Sequence, residues 1–109
     1  MKIKELFKEM EKANKFAEMV GDKRRYELEV CMGEEEYFDW WFGKSFKNFK
    51  DFQKYCKEEY NEFYRDAFYN ADIEMGEEGE GEGHFTINYW WKKDSIENHV
   101  IKVHFWRNK

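Results

Sequence analysis

The sequence predicts an α+β domain in which two helices pack on one face of a four- or five-stranded antiparallel sheet. Two long segments repeat apolar residues every three or four positions, as amphipathic helices do, and three others alternate apolar with polar residues, as half-buried strands do. The 109 residues suit a single domain, 1–109, and the 21% of aromatic residues supply a core despite 39% charged residues. The predicted order is α-β-β-α-(β)-β-β.

The first predicted helix ends near Gly21, because glycine readily adopts the left-handed conformation that terminates a helix. Its apolar stripe consists of Ile3, Leu6, Phe7, Met10, Ala13, Ala17 and Val20. Residues 26–32 then alternate with a period of two and predict a half-buried strand. Residues 33–35 predict a turn, and the aromatic run 37–42 predicts the partner strand of a hairpin.

The second predicted helix begins after Asn48, a suitable N-cap with Asp51 three residues later, and continues to about Asn70. It would be about 30 Å long and span the domain. Its apolar stripe consists of Phe49, Phe52, Cys56, Tyr60, Phe63 and Ala67.

The last part of the chain predicts a short strand at 72–75 and a hairpin of two strands at 85–91 and 101–106, joined by a turn at 93–95. Residues 76–83 contain four Gly and four Glu and predict a mobile acidic loop, because glycine increases backbone entropy and the glutamates repel one another. A register with Lys92 opposite Ile96 would place His84 opposite His104.

The sequence contains only incomplete forms of the motifs that bind phosphate, calcium or other metal ions. Gly43-Lys44-Ser45 resembles the end of a phosphate-binding loop, but Phe38 stands where that loop needs its first glycine. The segment from Asp72 lacks the glycine and glutamate of a calcium loop, and two histidines would be only half of a metal site. The two cysteines predict buried free thiols. We therefore expect no catalytic residue, no metal, no cofactor and no enzymatic activity.

Charge is segregated along the chain. Residues 26–42 and 71–83 each carry six acids and no base, so they hold half of the 24 carboxylates, whereas the rest of the chain is basic on balance. Concentrated carboxylates repel nucleic acid and anionic membranes and attract the Lys/Arg grooves that hold phosphate backbones. A merely solubilising acidic surface is the alternative.

The candidate partner-binding residues follow from this segregation. Because neighbouring residues of a strand face opposite sides, one Trp of each Trp-Trp pair should be exposed and available as an anchor. The candidates are the acids Glu34, Glu35, Glu36 and Asp39 of the first hairpin, the acids Asp72, Glu74, Glu77, Glu78, Glu80 and Glu82 of the second segment, and the anchors Trp41 and Trp90. The hairpin acids are expected to be the stronger site, because a hairpin is stiffer than a loop.

Two parts of the sequence resemble the short orphan accessory proteins of bacterial phages and mobile elements. The first is residues 1–21 (MKIKELFKEMEKANKFAEMVG) with the acidic alternating strand that follows them, and the second is the helix start 46–55 (FKNFKDFQKY). Anti-CRISPR proteins belong to this class. They are typically small and often acidic, and several present carboxylates where a nuclease would bind DNA. The resemblance implies a cytoplasmic protein of the host bacterium that binds another protein, without a membrane or direct nucleic-acid contact.

Three functions remain open on the sequence. The first is an acidic inhibitor that occupies the basic nucleic-acid site of a bacterial protein such as a CRISPR effector nuclease, as a DNA mimic. The second is a self-associating or structural accessory module that uses exposed aromatic residues. The third is a regulator that binds divalent cations. The oligomeric state stays open as well.

Overall fold

The computed structural model describes residues 1–33, 41–81, 83–96 and 99–107. The elements are α1 (Ile3–Met19), β1 (Arg25–Gly33), β2 (Trp41–Phe46), α2 (Phe49–Glu59), α3 (Glu62–Asn70), β3 (Ile73–Gly81), β4 (His84–Trp91) and β5 (His99–Trp106), with a short 3-10 helix at Asp94–Ile96 before β5. The strands form one antiparallel sheet in the order β2-β1-β5-β4-β3, which confirms the predicted α+β fold class.

The helices cover one face of the sheet, which we call the helix side. The sheet residues that belong to the main core all point to it: Leu28, Val30, Phe46, Ile73, Trp91, Ile101 and Val103. The opposite face, which we call the open face, carries the alternate residues of each strand, such as Glu29, Trp90 and His104. Within the described residues, no helix is long and apolar enough to cross a membrane.

Helix α1 ends where the sequence predicts. Gly21 has φ +74° and the Asp22 N–H donates to the Ala17 carbonyl, which closes the last turn. Only the first half of the predicted stripe is buried, from Ile3 to Met10. Val20 is exposed, so the last turns of α1 extend past the core.

The single helix predicted over 48–70 is wrong, because the chain leaves the helical conformation at Tyr60 and starts again after Asn61. The Asn61 side chain accepts the Tyr64 N–H, as the Asn48 side chain accepts the Asp51 N–H at the start of α2. The break lets the Tyr60 ring pack edge-on against Phe68, 4.9 Å between centroids. Both helices then bury aromatic residues in one core.

The first hairpin differs from the prediction in its second strand. β2 pairs from Gly33↔Trp41 to Leu28↔Phe46, so it continues four residues beyond the predicted end at residue 42, and residues 37–40 of the predicted strand lie outside the described residues. The predicted turn beyond Gly33 and the acids Glu34, Glu35, Glu36 and Asp39 lie outside the described residues.

The acidic loop predicted over 76–83 is wrong for most of its length, because the strand β3 continues to Gly81 and pairs with β4. A β-bulge between Met75 and Glu78 opposes two residues of β3 to one of β4. The glycines have a structural reason: a Cβ at Gly76 would collide with the Trp90 indole, and one at Gly81 would collide with the His84 ring. Tertiary pairing thus overrides a composition that disfavours strands.

The last hairpin is shifted by two residues from the predicted register. His84 pairs with Trp106 and Thr86 pairs with His104, because the connection between the strands is longer than the turn expected at 93–95. Ile96 in the 3-10 helix is buried in the core, so this connection packs against the core.

Candidate functional site

Four glutamates follow the outer edge of the sheet. β3 is the last strand in the sheet order, and Glu74, Glu77, Glu78 and Glu80 are all exposed on it. We call these four residues the acidic edge. Because the backbone is extended and hydrogen-bonded to β4, neighbouring carboxylates on one side of the strand, such as those of Glu78 and Glu80, start about 7 Å apart. Glu82, the last acid of this segment, lies outside the described residues.

Cations from distant parts of the chain neutralise several acids of this segment. Asp72 accepts from Lys2 Nζ at 2.9 Å, and this hydrogen bond lowers the pKa of its carboxyl. Glu74 lies 3.7 Å from Lys92 Nζ, and Glu80 lies 3.0 Å from Arg107 Nη2. These pairs are exposed, so each contributes little to stability, but they reduce the field that the sequence alone suggests.

Glu77 and Glu78 differ from these neighbours because neither forms an ion pair within the described part of the chain. Both belong to the bulged stretch of β3, and both side chains are exposed. The uncompensated negative charge of the acidic edge is therefore concentrated at these two residues.

The described acids of the first segment lie on the open face. Ser45 Oγ donates to Glu27 Oε1 at 2.8 Å. Glu29 leans across Gly43 and accepts from the Cys31 thiol at 3.2 Å, and its carboxylate lies 3.4 Å from His104 Nε2. Both carboxylates are therefore held by contacts with neighbouring side chains on the open face and do not project towards a partner.

The two cysteines are buried and free, as predicted. Burial, together with the hydrogen bond to Glu29, raises the pKa of Cys31 to about 12, and burial raises the pKa of Cys56 to about 12. Both thiols are therefore protonated at neutral pH, which disfavours nucleophilic chemistry.

Aromatic and imidazole rings occupy one end of the open face. The His84 ring stacks on Trp106 with 4.2 Å between centroids and lies 5.8 Å from the His104 ring. Thr86 Oγ1 and His104 Nδ1 are 3.1 Å apart. No group of three His, Cys, Asp or Glu side chains that could hold a metal ion occurs among the residues that the structure describes.

The two candidate tryptophan anchors have different outcomes. Trp90 is 37% exposed and lies over Gly76 beside the acidic edge, so it is available for contact. Trp41 begins the edge strand β2 opposite Gly33, three strands away from β4, which carries Trp90. The structure therefore does not bring the two anchors together.

A groove of about 1110 Å³ lies between α1 and the start of β1. Its floor contains Tyr26 and Phe46, and its walls carry both lysines and glutamates. Asn14 crosses it and donates and accepts hydrogen bonds at the Tyr26 backbone. Opposite charges on both walls give this groove no preference for one ligand charge.

Comparisons with known proteins return no match: no family model, no curated protein and no solved structure matches this chain.

The sequence predicted the acidic segment but not the features that distinguish its paired acids from its unpaired acids. These features are the bulge and the ion pairs of Lys2, Lys92 and Arg107. Like the hydrogen bonds of Asn14, they depend on pairings between residues far apart in the chain. Only the alternation of Gly and Glu over 78–81 carried a local signal, since it fits a strand as well as it fits a loop.

Proposed function

We propose that this protein is a non-enzymatic acidic inhibitor that binds the basic nucleic-acid site of a bacterial protein, foremost a CRISPR effector nuclease. The observation that carries the proposal is the pair Glu77 and Glu78, exposed on the free edge of a paired strand and without a cation in the described part of the chain. The resemblance to anti-CRISPR-like accessory proteins supports the same assignment.

The sheet makes the acidic edge a better recognition element than a loop. Ordering a mobile segment costs about 1–2 kcal/mol per residue, and residues 73–81 already have their backbone fixed by pairing with β4. Charge-assisted hydrogen bonds from arginines of the partner, each about 1.5–3 kcal/mol, therefore contribute more of their energy to binding. An effector that reads a short DNA motif through arginines offers such donors.

The paired acids have a secondary role in this proposal. Asp72, Glu74 and Glu80 already interact with Lys2, Lys92 and Arg107, so a partner must displace those cations before it gains the carboxylates. Trp90, beside Glu74 across the strand pair, supplies an apolar contact at the same edge. That the hairpin acids form the stronger site stays a prediction. Its reason, the greater stiffness of a hairpin, no longer separates the two segments, because β3 is also a paired strand.

The test is inhibition of target-DNA cleavage by RNA-loaded CRISPR effector nucleases, with Glu77→Gln/Glu78→Gln as the variant. Its matched control is Glu58→Gln/Glu62→Gln, which removes two exposed carboxylates from the helical layer. We expect the edge variant to inhibit at least about tenfold less than the control and to show a flatter dependence on salt. Equal inhibition by both variants, or no inhibition of any effector by the unmodified protein, would contradict the proposal.

A further inference from the structure

The helical layer leaves one corner of the sheet uncovered on the helix side. Trp91 of β4 and Ile101 of β5 are buried at one end of their strands, whereas Phe85 and Phe105 at the other end are only partly buried. At this second end the last turns of α1 also project from the core, and Phe16 is 64% exposed.

The corner has a raised apolar part and a recessed apolar part. The raised part, the ridge, consists of Phe16, Met19 and Val20, which recur on one side of α1. The recessed part, the floor, is the ring row Tyr26–Phe105–Phe85, with centroids 4.6 and 4.8 Å apart. A cavity of about 270 Å³ lies between the two parts and is lined by Phe16, Val20 and the first two of these rings, and also by the ion pair of Asp22 and Arg24.

The floor has the width of a helix. Tyr26, Phe105 and Phe85 lie on three neighbouring strands, so the row spans two strand spacings, or about 10 Å, which is the diameter of an α-helix with its side chains. Apolar patches of this kind are uncommon on monomeric proteins unless something covers them.

Charges of opposite sign flank the two parts. Lys12 and Lys15 are exposed one turn before Phe16 and Met19 on the ridge. Glu78 pairs with Ile87 and points to the helix side, so it borders the far edge of the floor. Glu80 borders it too, but it is held by Arg107, whose guanidinium lies 5.7 Å from the centre of the Phe85 ring.

We propose that a second copy of this chain covers the corner. A two-fold axis through the patch would seat the ridge of each copy on the floor of the other and bring Lys12 and Lys15 towards the partner's Glu78. In the dimer, Glu77 would then be the carboxylate of the acidic edge that stays without a cation among the described residues and is available to another protein. Isologous contacts need a patch that complements itself, and an apolar ridge preceded by Lys12 and Lys15, beside a floor bordered by Glu78, meets that requirement. An unrelated amphipathic helix would cover the floor and leave the ridge of α1 exposed.

Sedimentation equilibrium from micromolar to sub-millimolar concentration tests the dimer. The weight-average mass should rise with concentration from 13.6 kDa towards twice that value. Phe16→Glu should weaken association at least about tenfold, because it places a charge in the apolar contact. Phe63→Glu is the matched control, since Phe63 is a 57% exposed aromatic residue on α3, outside the corner, and it should associate like the unmodified chain.

Charge reversal tests the two-fold arrangement. Glu78→Lys alone and Lys12→Glu/Lys15→Glu alone should each weaken self-association, because each creates like charges at both ends of the contact. An equimolar mixture of the two variants should form a heterodimer, because every pair across the contact is then opposite in charge.

Several outcomes would overturn the proposal. They are a mass that stays at that of the monomer throughout, an equal loss of association in Phe16→Glu and Phe63→Glu, or a mixture that associates no better than its components. A monomer that instead binds a lysine-rich amphipathic peptide through Phe85 would assign the corner to another protein and reject the second copy.

Discussion

Asn14 completes the hydrogen bonding of β1 at the point where β2 ends, and its replacement offers a sharp test of the fold. The last pair between the two strands is Leu28↔Phe46, so the Tyr26 backbone lies beyond the reach of β2. Asn14 Oδ1 accepts the Tyr26 N–H at 2.8 Å, and Asn14 Nδ2 donates to the Tyr26 carbonyl at 2.9 Å. One side chain of α1 thus substitutes for a missing strand.

The size of the effect follows from two hydrogen bonds and the access of water. Each bond is worth about 0.5–1.5 kcal/mol net, so Asn14→Ala loses about 1–3 kcal/mol. Alanine regains about 0.5 kcal/mol in helix propensity, and the adjoining groove admits water to the Tyr26 peptide. We expect a net destabilisation of about 1 kcal/mol for Asn14→Ala. Asn14→Leu should cost more, about 2–4 kcal/mol, because leucine excludes the water and leaves both peptide groups unpaired.

Urea unfolding at constant m-value measures these differences, and amide hydrogen exchange at Tyr26 reports the same contact locally. Asn70→Ala is the control, because the Asn70 side chain donates an exposed hydrogen bond to Asp66. This substitution should change the free energy of unfolding by less than about 0.5 kcal/mol. The reasoning fails if Asn14→Leu is no less stable than Asn14→Ala, or if the Tyr26 amide keeps its protection in both variants.

Three further predictions concern packed side chains. Burial lowers the pKa of His99, so as the pH falls below the unfolded value of about 6.5 the unfolded chain binds the proton first, and the free energy of unfolding should decrease. His99→Gln should flatten this pH dependence in unfolding experiments at pH 5–7, and an unchanged slope would contradict the prediction. Gly76→Ala should displace the Trp90 indole and cost about 1–3 kcal/mol, whereas Gly79→Ala meets open space and should cost less than about 1 kcal/mol; equal unfolding midpoints would refute the contact. With both thiol pKa values raised to about 12, Cys31 and Cys56 should react with a thiol reagent at neutral pH only after denaturation, and rapid labelling of the native protein would show that one of them is accessible.

The elements that sequence reasoning located are those whose local pattern and tertiary environment agree. α1 has a stripe, a terminating glycine and a buried first half, and β1 alternates cleanly because only its even positions, such as Leu28 and Val30, point into the core. The exposure of the last turns of α1 was not predicted, because the apolar residues there continue the stripe beyond the sheet that would bury them. Periodicity shows which side of a helix is apolar and does not show how far the partner layer extends.

The errors lie where distant contacts decide the structure. The break between α2 and α3 has a local signal in Asn61, but the apolar stripe runs through it, and the packing of Tyr60 on Phe68 is a tertiary contact that the local pattern does not show. The register of the last hairpin depends on the burial of Ile96, which no turn rule contains. For the candidate site, the acidic residues of β3 were predictable, whereas their division into paired and unpaired carboxylates depends on Lys92 and Arg107.

The acidic edge has a structural role that is separate from any partner, and the sign of its charge distinguishes the two. Unpaired strand edges invite pairing with other chains, and charges and bulges on an edge strand prevent it. Glu77→Gln/Glu78→Gln weakens both roles, so a loss of inhibition by that variant must be compared with its solubility. Glu77→Lys/Glu78→Lys keeps the edge charged and should remain free of aggregates in light scattering, yet it should lose binding to a basic site more completely than the glutamine variant. If the lysine variant inhibits as well as the unmodified protein, the glutamates only protect the edge of β3, and the proposed contact with a nuclease is refuted.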